Sequence, residues 1–396
     1  PGGPWVWPST PFSPPPTPPL CGVPSFSPLR SHRDGTRPHR ISAGLYDRDP
    51  SGDLVLREHR ELDVPQDAPA ELTGPRPALV VLNDGDLTYT KLRFDETSGE
   101  SALRGLSRIP DPLTRAVVWN ALRDMVRDGD LAPVDHLAVA GAHLTDETEL
   151  ALVQGVLAFA RHQIADRYAT AEERPAALAT INGIARALLR RTEDGEAPGL
   201  RLTAVRALVD SATTPDKIAS WLDEGTVHGG PELDPELRWR ILARLAVLGA
   251  TDEPAIAAEL ERDPSATGQE GAARCRAALP DPGAKAAAWS ALFDSDDLSN
   301  YLFTATAQGF WQPEQADLVK EYVPRFYEAA VALADRRGPA MAEAAGRHAF
   351  PAYAVDADSL ALGERHLADT PMIPALRRKL VDQLDDLRRA LKVREG

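Results

Sequence analysis

The segment Asp47–Glu58 has the residue types and spacing of a calcium-binding loop. Acidic or polar groups occupy its positions 1, 3 and 5, Gly52 is at position 6, and a glutamate is at position 12. An EF-hand also needs a helix on each side. Neither flank has a helical pattern, and Pro50 lies inside the loop. The flanks therefore favour a hairpin turn between two strands, with a calcium-binding module as the alternative.

The histidines lack the spacing of a zinc site. His136 and His143 are seven residues apart. On one helix they would be two turns, or roughly 10 Å, apart, which is too far for two ligands of one ion. No H-E-x-x-H motif is present in the sequence. We predict that the histidines lie in the core or on the surface, and that the chain itself supplies no metal ligands, no cofactor site and no catalytic residues.

Motifs of nucleophilic and nucleotide chemistry are also missing. The sequence has no G-x-S-x-G elbow, no G-x-x-x-x-G-K-[ST] loop and no G-x-G-x-x-G before a helix. Cys275 lies between two arginines in a predicted helix, and these cations could lower the pKa of its thiol. Because no base is evident in the sequence, the prediction is an inert thiol.

Residues 296–312 are richer in aromatic and polar side chains than a helical scaffold requires. They include Tyr301, Phe303, Phe310 and Trp311, together with an asparagine and two glutamines, and they end at a predicted helix start. Such a set could line a cavity. It could equally form the packed core of two helices joined by a glycine turn, and both alternatives stay open.

Two kinds of element must position these candidates. Residues 41–97 contain short apolar runs between clusters of Asp, Gly and Pro, which predict about four strands with turns at Gly52 and at residues 84–86. The last predicted strand covers residues 88–94. A sheet of about four strands is thin and needs a partner surface.

From about residue 98 the apolar period is helical. Pro215, Pro235 and Pro254 are 20 and 19 residues apart, and one helix per roughly 20 residues is typical of HEAT or armadillo arrays. Asp234 predicts a helix N-cap, and Gly249 predicts the end of that helix. Further start signals are Thr214-Pro215, Gln312-Pro313 and Thr370-Pro371.

The predicted fold is therefore mainly α. It is a HEAT/armadillo-like α-solenoid over residues 98–396, preceded by a small partial β-sandwich over 41–97. Pro324 lies within the helical segment 314–336 and predicts a kink or a division there.

Composition limits the function classes. The chain has 396 residues, a formal net charge of −15 and 43% hydrophobic residues, which suits a globular protein of two or three domains. The acidic balance argues against nucleic-acid binding. No apolar run approaches the roughly 18–20 residues that span a bilayer. Two cysteines, Cys21 and Cys275, cannot form a disulfide framework and predict a reducing, cytoplasmic location.

Residues 1–40 contain 12 of the 35 prolines. Residues 13–19 have the PxxP spacing of a polyproline II ligand. The favoured alternative is a disordered or spurious leader, because proline-rich disorder is commoner than a specific ligand. The first methionine is Met125. We therefore expect a fragment, or a frameshifted or truncated gene product.

Much of the chain resembles a known family. The segments that carry the resemblance are Leu45–Asp47, Arg76–Lys91, which contains LNDGDLTYTK, and Asp297–Gln312. They are similar to the C-terminal half of actinobacterial aminopeptidase N, in the M1 family of zinc metallopeptidases, over roughly residues 40–396. The helical part resembles the superhelical domain shared with endoplasmic-reticulum aminopeptidases.

The resemblance implies an enzyme that removes N-terminal residues from peptides. The family holds zinc with H-E-x-x-H and a distant Glu, and it binds the substrate amine with G-x-M-E-N. Neither motif exists here, so the chain is expected to be inactive without the missing catalytic domain. In the family the helical domain encloses the substrate chamber. The resemblance thus implies that the chamber is lined by Tyr301, Gln308, Phe310, Trp311 and Gln312.

An alternative function is an independent, non-catalytic α-solenoid scaffold that binds another protein. That hypothesis expects an exposed apolar groove on the concave face and a fold that is stable without a catalytic partner.

Overall fold

The computed structural model describes residues 39–64, 72, 74–228 and 230–395. Its strands are β1 (His39–Arg48), β2 (Leu54–Val64) and β3 (Leu79–Leu82). The first nine helices are α1 (Glu96–Gly105), α2 (Pro112–Asp128), α3 (Pro133–His143), α4 (Leu150–Phe159), α5 (Arg174–Arg191), α6 (Pro198–Asp210), α7 (Asp216–Glu224), α8 (Pro235–Val247) and α9 (Glu253–Arg262).

The remaining helices are α10 (Ala266–Ala278), α11 (Pro282–Phe293), α12 (Asn300–Phe310), α13 (Ala316–Val319), α14 (Tyr322–Arg337), α15 (Pro339–His348), α16 (Ala357–Asp369) and α17 (Pro374–Glu395). The predicted mainly α fold behind a small sheet is confirmed. Residues 1–38 of the predicted leader lie outside the described residues, and residues 39 and 40 belong to β1.

The sheet is antiparallel with the order β2-β1-β3. The first two strands form a hairpin in which Arg48 pairs with Leu54. The Asp49 carboxylate accepts hydrogen bonds of 2.9 Å from the backbone N–H groups of Ser51 and Asp53, and Gly52 takes a left-handed conformation at φ 87°. The segment that has calcium-loop spacing therefore consists of the end of β1, a β-turn and the beginning of β2.

The predicted strand over residues 88–94 is wrong, because that segment has no regular structure. The Asn83 side chain makes two hydrogen bonds to the backbone of Thr88. Its Oδ1 accepts from the Thr88 N–H at 3.0 Å, and its Nδ2 donates to the Thr88 carbonyl at 2.8 Å. Further on, Lys91 and Arg93 form ion pairs with Asp128 at the end of α2. The segment is thus held by the turn and by a helix end, and it does not pair with the sheet.

Several helix boundaries follow the predicted signals. The Asp234 carboxylate accepts a 2.8 Å hydrogen bond from the N–H of Leu237 at the start of α8, and Gly249 follows the end of α8 at φ 70°. The segment around Pro324 is divided as expected. Because α14 begins at Tyr322, Pro324 lies in a first turn, where its missing N–H is not needed.

Two start signals are misplaced. α17 begins at Pro374 and not at Pro371, because the N–H of Thr370 still bonds to His366 and so belongs to the end of α16. α7 begins at Asp216, and Pro215 precedes it without a side-chain cap. At Gln312-Pro313 the chain enters a short 3-10 turn before α13.

The helical array closes on itself. α17 packs against α15 and α16 and also against α2, at the other end of the array. Asp128, the last residue of α2, contacts Lys91 at 2.8 Å and Arg389 of α17 at 2.9 Å. Arg394 donates a 2.8 Å hydrogen bond to the carbonyl of Arg167, which lies in the π-helical segment Ala160–Tyr168 that continues α4. Among the described helices, none combines the length and apolar character that crossing a bilayer would need.

Candidate functional site

A cavity of about 610 Å³ lies among α8, α10, α12, α15 and the segment that follows α4. We call it the charged cavity. Its charged lining residues are Arg161, Asp166, Arg167, Asp210, Glu236, Arg240, Arg244, Glu270, Arg274 and Arg347. The lining therefore has six arginines and four carboxylates, in addition to two histidines, and it can bind polar or charged groups.

A π-helical segment, Ala160–Tyr168, builds one wall of the charged cavity. In a π-helix the backbone bonds run from i to i+5, so that residues five apart lie over each other. Arg161 and Asp166 have this spacing, and they form an ion pair in the cavity wall. Both are buried. Such π-helical insertions are frequent at functional sites.

Glu314 ties this wall to α8. Its carboxylate contacts Arg174 at 2.9 Å and Arg244 at 2.7 Å, and Arg174 also contacts Asp166 at 3.0 Å. Burial alone would raise the pKa of Glu314. The nearby Arg244 and Arg174 outweigh burial and hold that pKa at about 2. The carboxylate therefore stays ionised at any physiological pH, and it fixes two arginines beside the cavity.

The face of α8 that lines the charged cavity carries Glu236, Arg240 and Arg244, at i, i+4 and i+8. Arg240 contacts Asp210 at 2.9 Å and Glu236 at 2.7 Å. Sequence analysis did not identify these residues as a functional surface. The signal available to it was the four-residue charge spacing on the face away from the apolar stripe.

The five residues predicted to line a chamber divide into three groups. Gln308, Trp311 and Gln312 line the charged cavity. Phe310 is fully buried and packs edge to face on Tyr322, so it belongs to the core. Tyr301 is 74% exposed and does not line this cavity. Both interpretations of residues 296–312 therefore apply, each to different side chains, and a role of these residues in binding stays a prediction.

An apolar cavity of about 550 Å³ adjoins the charged one and shares Trp311, Gln312 and Tyr353 with it. The indole N–H of Trp311 donates 2.7 Å to the carbonyl of Ala349, which fixes the ring between the two cavities. Val319 and Leu362 are among the aliphatic side chains of the apolar cavity. The charged and the apolar cavity are therefore neighbours that have three lining residues in common.

Lys285 fixes the helix ends that border the charged cavity. Its buried ammonium donates 2.6 Å to the carbonyl of Ala277 near the end of α10 and 2.9 Å to the carbonyl of Phe310 at the end of α12. A cation is favourable at helix C-termini. Burial lowers the pKa of Lys285 to about 7. The residues next to these carbonyls, Ala278 and Trp311, both line the cavity.

The other candidates for chemistry are structural. His136 is buried between aromatic rings, and burial, with a contribution from Arg123, lowers its pKa to about 4. His143 bonds to the carbonyl of Leu103 at 2.8 Å. Burial raises the pKa of the Cys275 thiol to about 12 although two arginines are its neighbours, as expected of an inert thiol.

Within the described part of the chain, no group of three or more His, Cys, Asp or Glu side chains could hold a metal ion. In the segment with calcium-loop spacing, the carboxylates of Asp47 and Asp53 form ion pairs with Arg57 and Arg108. The described residues therefore do not fit a zinc centre of the kind that the resemblance implies.

Comparison with known proteins gives a consistent family. The chain is 36% identical over 362 residues to aminopeptidase N of Streptomyces lividans, which covers 90% of this chain and 42% of that protein. It also resembles the crystal structure of Legionella pneumophila aminopeptidase A in complex with aspartic acid, with a TM-score of 0.53 over 88% of this chain and 45% of the other. At 15% identity, that second likeness concerns the fold alone.

The chain thus spans less than half the length of each of these two proteins. Residues 79–389, which include β3 and nearly all of the helical array, match the model of the ERAP1-like C-terminal domain. The expected resemblance is confirmed: the chain belongs to the family of ERAP1-like C-terminal domains.

Proposed function

We propose that this chain is the helical, chamber-enclosing part of an aminopeptidase N-like enzyme that removes N-terminal residues from peptides in the cytoplasm. The observation that carries the proposal is the charged cavity, whose volume of about 610 Å³ suits several residues of an extended peptide. The aminopeptidase N relative supports the same function. In this proposal the cavity wall contacts the peptide beyond the bond that is cleaved.

Cleavage is assigned to a catalytic part that this sequence does not contain. Zinc would supply the activated water of a metalloaminopeptidase. The sequence lacks the H-E-x-x-H motif, and the described residues offer no metal-binding group. The residues of this chain therefore bind and enclose the peptide and perform no step of the hydrolysis.

The purified chain is expected to show no peptidase activity, because its sequence lacks the H-E-x-x-H motif and its described residues contain no group that could hold zinc. The measurement is release of chromophore from an aminoacyl p-nitroanilide with added zinc, with and without a chelator. Turnover that the chelator abolishes would contradict the assignment of cleavage to another part.

Peptide binding is tested with a matched pair of variants on α12. Gln308 is exposed and lines the charged cavity, whereas Tyr301 lies two turns earlier and is also exposed, but outside it. The Gln308→Trp ring would fill part of the cavity. We expect it to weaken binding of a fluorescent ten-residue peptide about tenfold, or ~1.4 kcal/mol, whereas Tyr301→Trp binds as the wild type does.

The readout is fluorescence anisotropy, with circular dichroism melting to show that both variants fold. The proposal is wrong if the wild-type chain binds no peptide, or if Gln308→Trp binds as tightly as Tyr301→Trp. Binding of folded proteins in preference to peptides would favour the scaffold alternative.

A further inference from the structure

The charged cavity has the opposite charge balance to the molecule as a whole. The chain carries a net charge of −15, yet arginines outnumber carboxylates in this lining. An arginine guanidinium binds a carboxylate through two parallel hydrogen bonds, and the planar fork makes the contact specific. The lining therefore favours an anionic group over a cationic one.

Most carboxylates of the lining are already neutralised. Asp166 contacts Arg174, Asp210 contacts Arg240, and Glu236 contacts both Arg206 and Arg240. The remaining carboxylate, Glu270, has no ion-pair partner among the described residues. It lies one turn before Arg274 on α10, and it reduces the positive potential at that point.

Two arginines of the lining have no carboxylate partner in the described structure. Arg274 donates 3.0 Å to the side-chain oxygen of Gln308, and the side chain of Arg347 has no hydrogen bond or ion pair there. These arginines belong to α10 and α15, and α12, which carries Gln308, packs against both helices. Neither guanidinium group is neutralised by a carboxylate, so both can donate hydrogen bonds to an incoming anion.

Tyr353 adds an unused donor to the same lining. Its hydroxyl makes no hydrogen bond within the described part of the chain. Burial, followed by the charge of Asp166, raises the pKa of Tyr353 to about 12, so the hydroxyl keeps its proton at neutral pH. A carboxylate in the cavity could thus meet a neutral donor as well as the two arginines.

We propose that the charged cavity selects peptides that carry an acidic side chain, whose carboxylate is bound by Arg274 and Arg347. This inference rests on the proposed function, because it names the class of peptide that the same cavity takes. An aspartate or glutamate within the peptide supplies the carboxylate. A glutamine at the same position cannot form the charge-assisted hydrogen bonds with the two arginines.

The test compares two labelled ten-residue peptides that differ at one internal position, Glu or Gln. Both are amidated at the C-terminus, so that the side chain is the sole carboxylate. By anisotropy with the full chain at low salt, the Glu peptide should bind about three- to tenfold tighter, and the preference should shrink as salt rises.

Charge variants locate the site. Arg274→Gln and Arg347→Gln should each reduce the preference for the Glu peptide about threefold, and Glu270→Gln should increase it, because it removes an opposing charge. Arg104→Gln, whose side chain in α1 is 76% exposed and does not line the cavity, is the matched control and should leave the preference unchanged. Melting curves confirm that each variant is folded.

The possible outcomes separate the two proposals. If both peptides bind equally well, the acidic preference is wrong and the peptide-binding function stands. If neither peptide binds, both are wrong. An acidic preference that survives both arginine replacements overturns the assignment to Arg274 and Arg347.

Discussion

Replacing Glu147 by glutamine is expected to lower the free energy of unfolding by about 3–5 kcal/mol. The Glu147 side chain is only 2% exposed, and it accepts two parallel hydrogen bonds of 2.8 Å from the Nε and Nη2 of Arg115. Glutamine keeps the shape but turns an amide N–H₂ toward the guanidinium. The buried cation then loses its counter-charge, and urea unfolding followed by circular dichroism measures the cost.

Glu149→Gln is the matched control, because Glu149 lies in the same loop and is exposed. It should change the free energy of unfolding by less than about 0.5 kcal/mol. Equal effects of the two substitutions would show that the Arg115–Glu147 pair does not stabilise the loop between α3 and α4.

Low pH should remove the contribution of Glu147 to the free energy of unfolding. Burial would raise its pKa, but Arg115 and two backbone N–H groups outweigh that and lower it below the ordinary value of 4.5. A carboxylate with a lowered folded-state pKa stabilises the protein fully above its unfolded pKa and progressively less as pH falls. The difference in the free energy of unfolding between wild type and Glu147→Gln should therefore be constant above pH 5.5 and shrink below pH 4.5.

Glu314→Gln is the second substitution with a large expected effect. A pKa of about 2 in the folded chain against 4.5 when unfolded corresponds to about 3 kcal/mol at neutral pH. The variant leaves Arg174 and Arg244 side by side without their shared counter-charge. Since its folded pKa is the lower one, the contribution of Glu314 is complete above pH 4.5 and falls away toward pH 2.

The measurement is urea unfolding of wild type and variant at pH 7, 5, 4 and 3. The difference in the free energy of unfolding between wild type and Glu314→Gln should be largest at pH 7 and smaller at pH 4 and 3. Asp317→Asn, on the adjacent turn with a fully exposed side chain, serves as control and should have no measurable effect. If that difference in the free energy of unfolding did not depend on pH, the charge of Glu314 would not be what stabilises the cavity wall.

The elements that could be predicted from sequence are those set by local chemistry. Asp234 caps α8 because its carboxylate reaches an N–H three residues on, and Pro324 divides a helix because it has no N–H to donate. The strand predicted over residues 88–94 was wrong because contacts with a distant part of the chain determine the conformation there. Its alternation of apolar and polar residues suits a strand, but Lys91 and Arg93 are held by Asp128, which lies more than 30 residues further on.

The charged cavity could be predicted only in part. Gln308, Trp311 and Gln312 line the cavity, and they lie in a segment whose composition left a cavity lining and a packed core as open alternatives. Its arginines come from the π-helix, α8, α10 and α15, which are spread along the sequence from Arg161 to Arg347. No local pattern tells which charged helix faces meet, and the extra residue of the π-helix shifts side chains off the ordinary helical period.

The contact between α2 and α17 has a consequence for how the chain is made. Asp128 and Arg389 are 261 residues apart in sequence, so a ribosome adding about 5–20 residues per second finishes the second partner roughly 13–50 seconds after the first. In a linear repeat array each new unit covers the previous one at once. In this closed array the end of α2 has to wait for α17 before it can form its ion pairs with Asp386 and Arg389, so the two ends of the array come together late in translation.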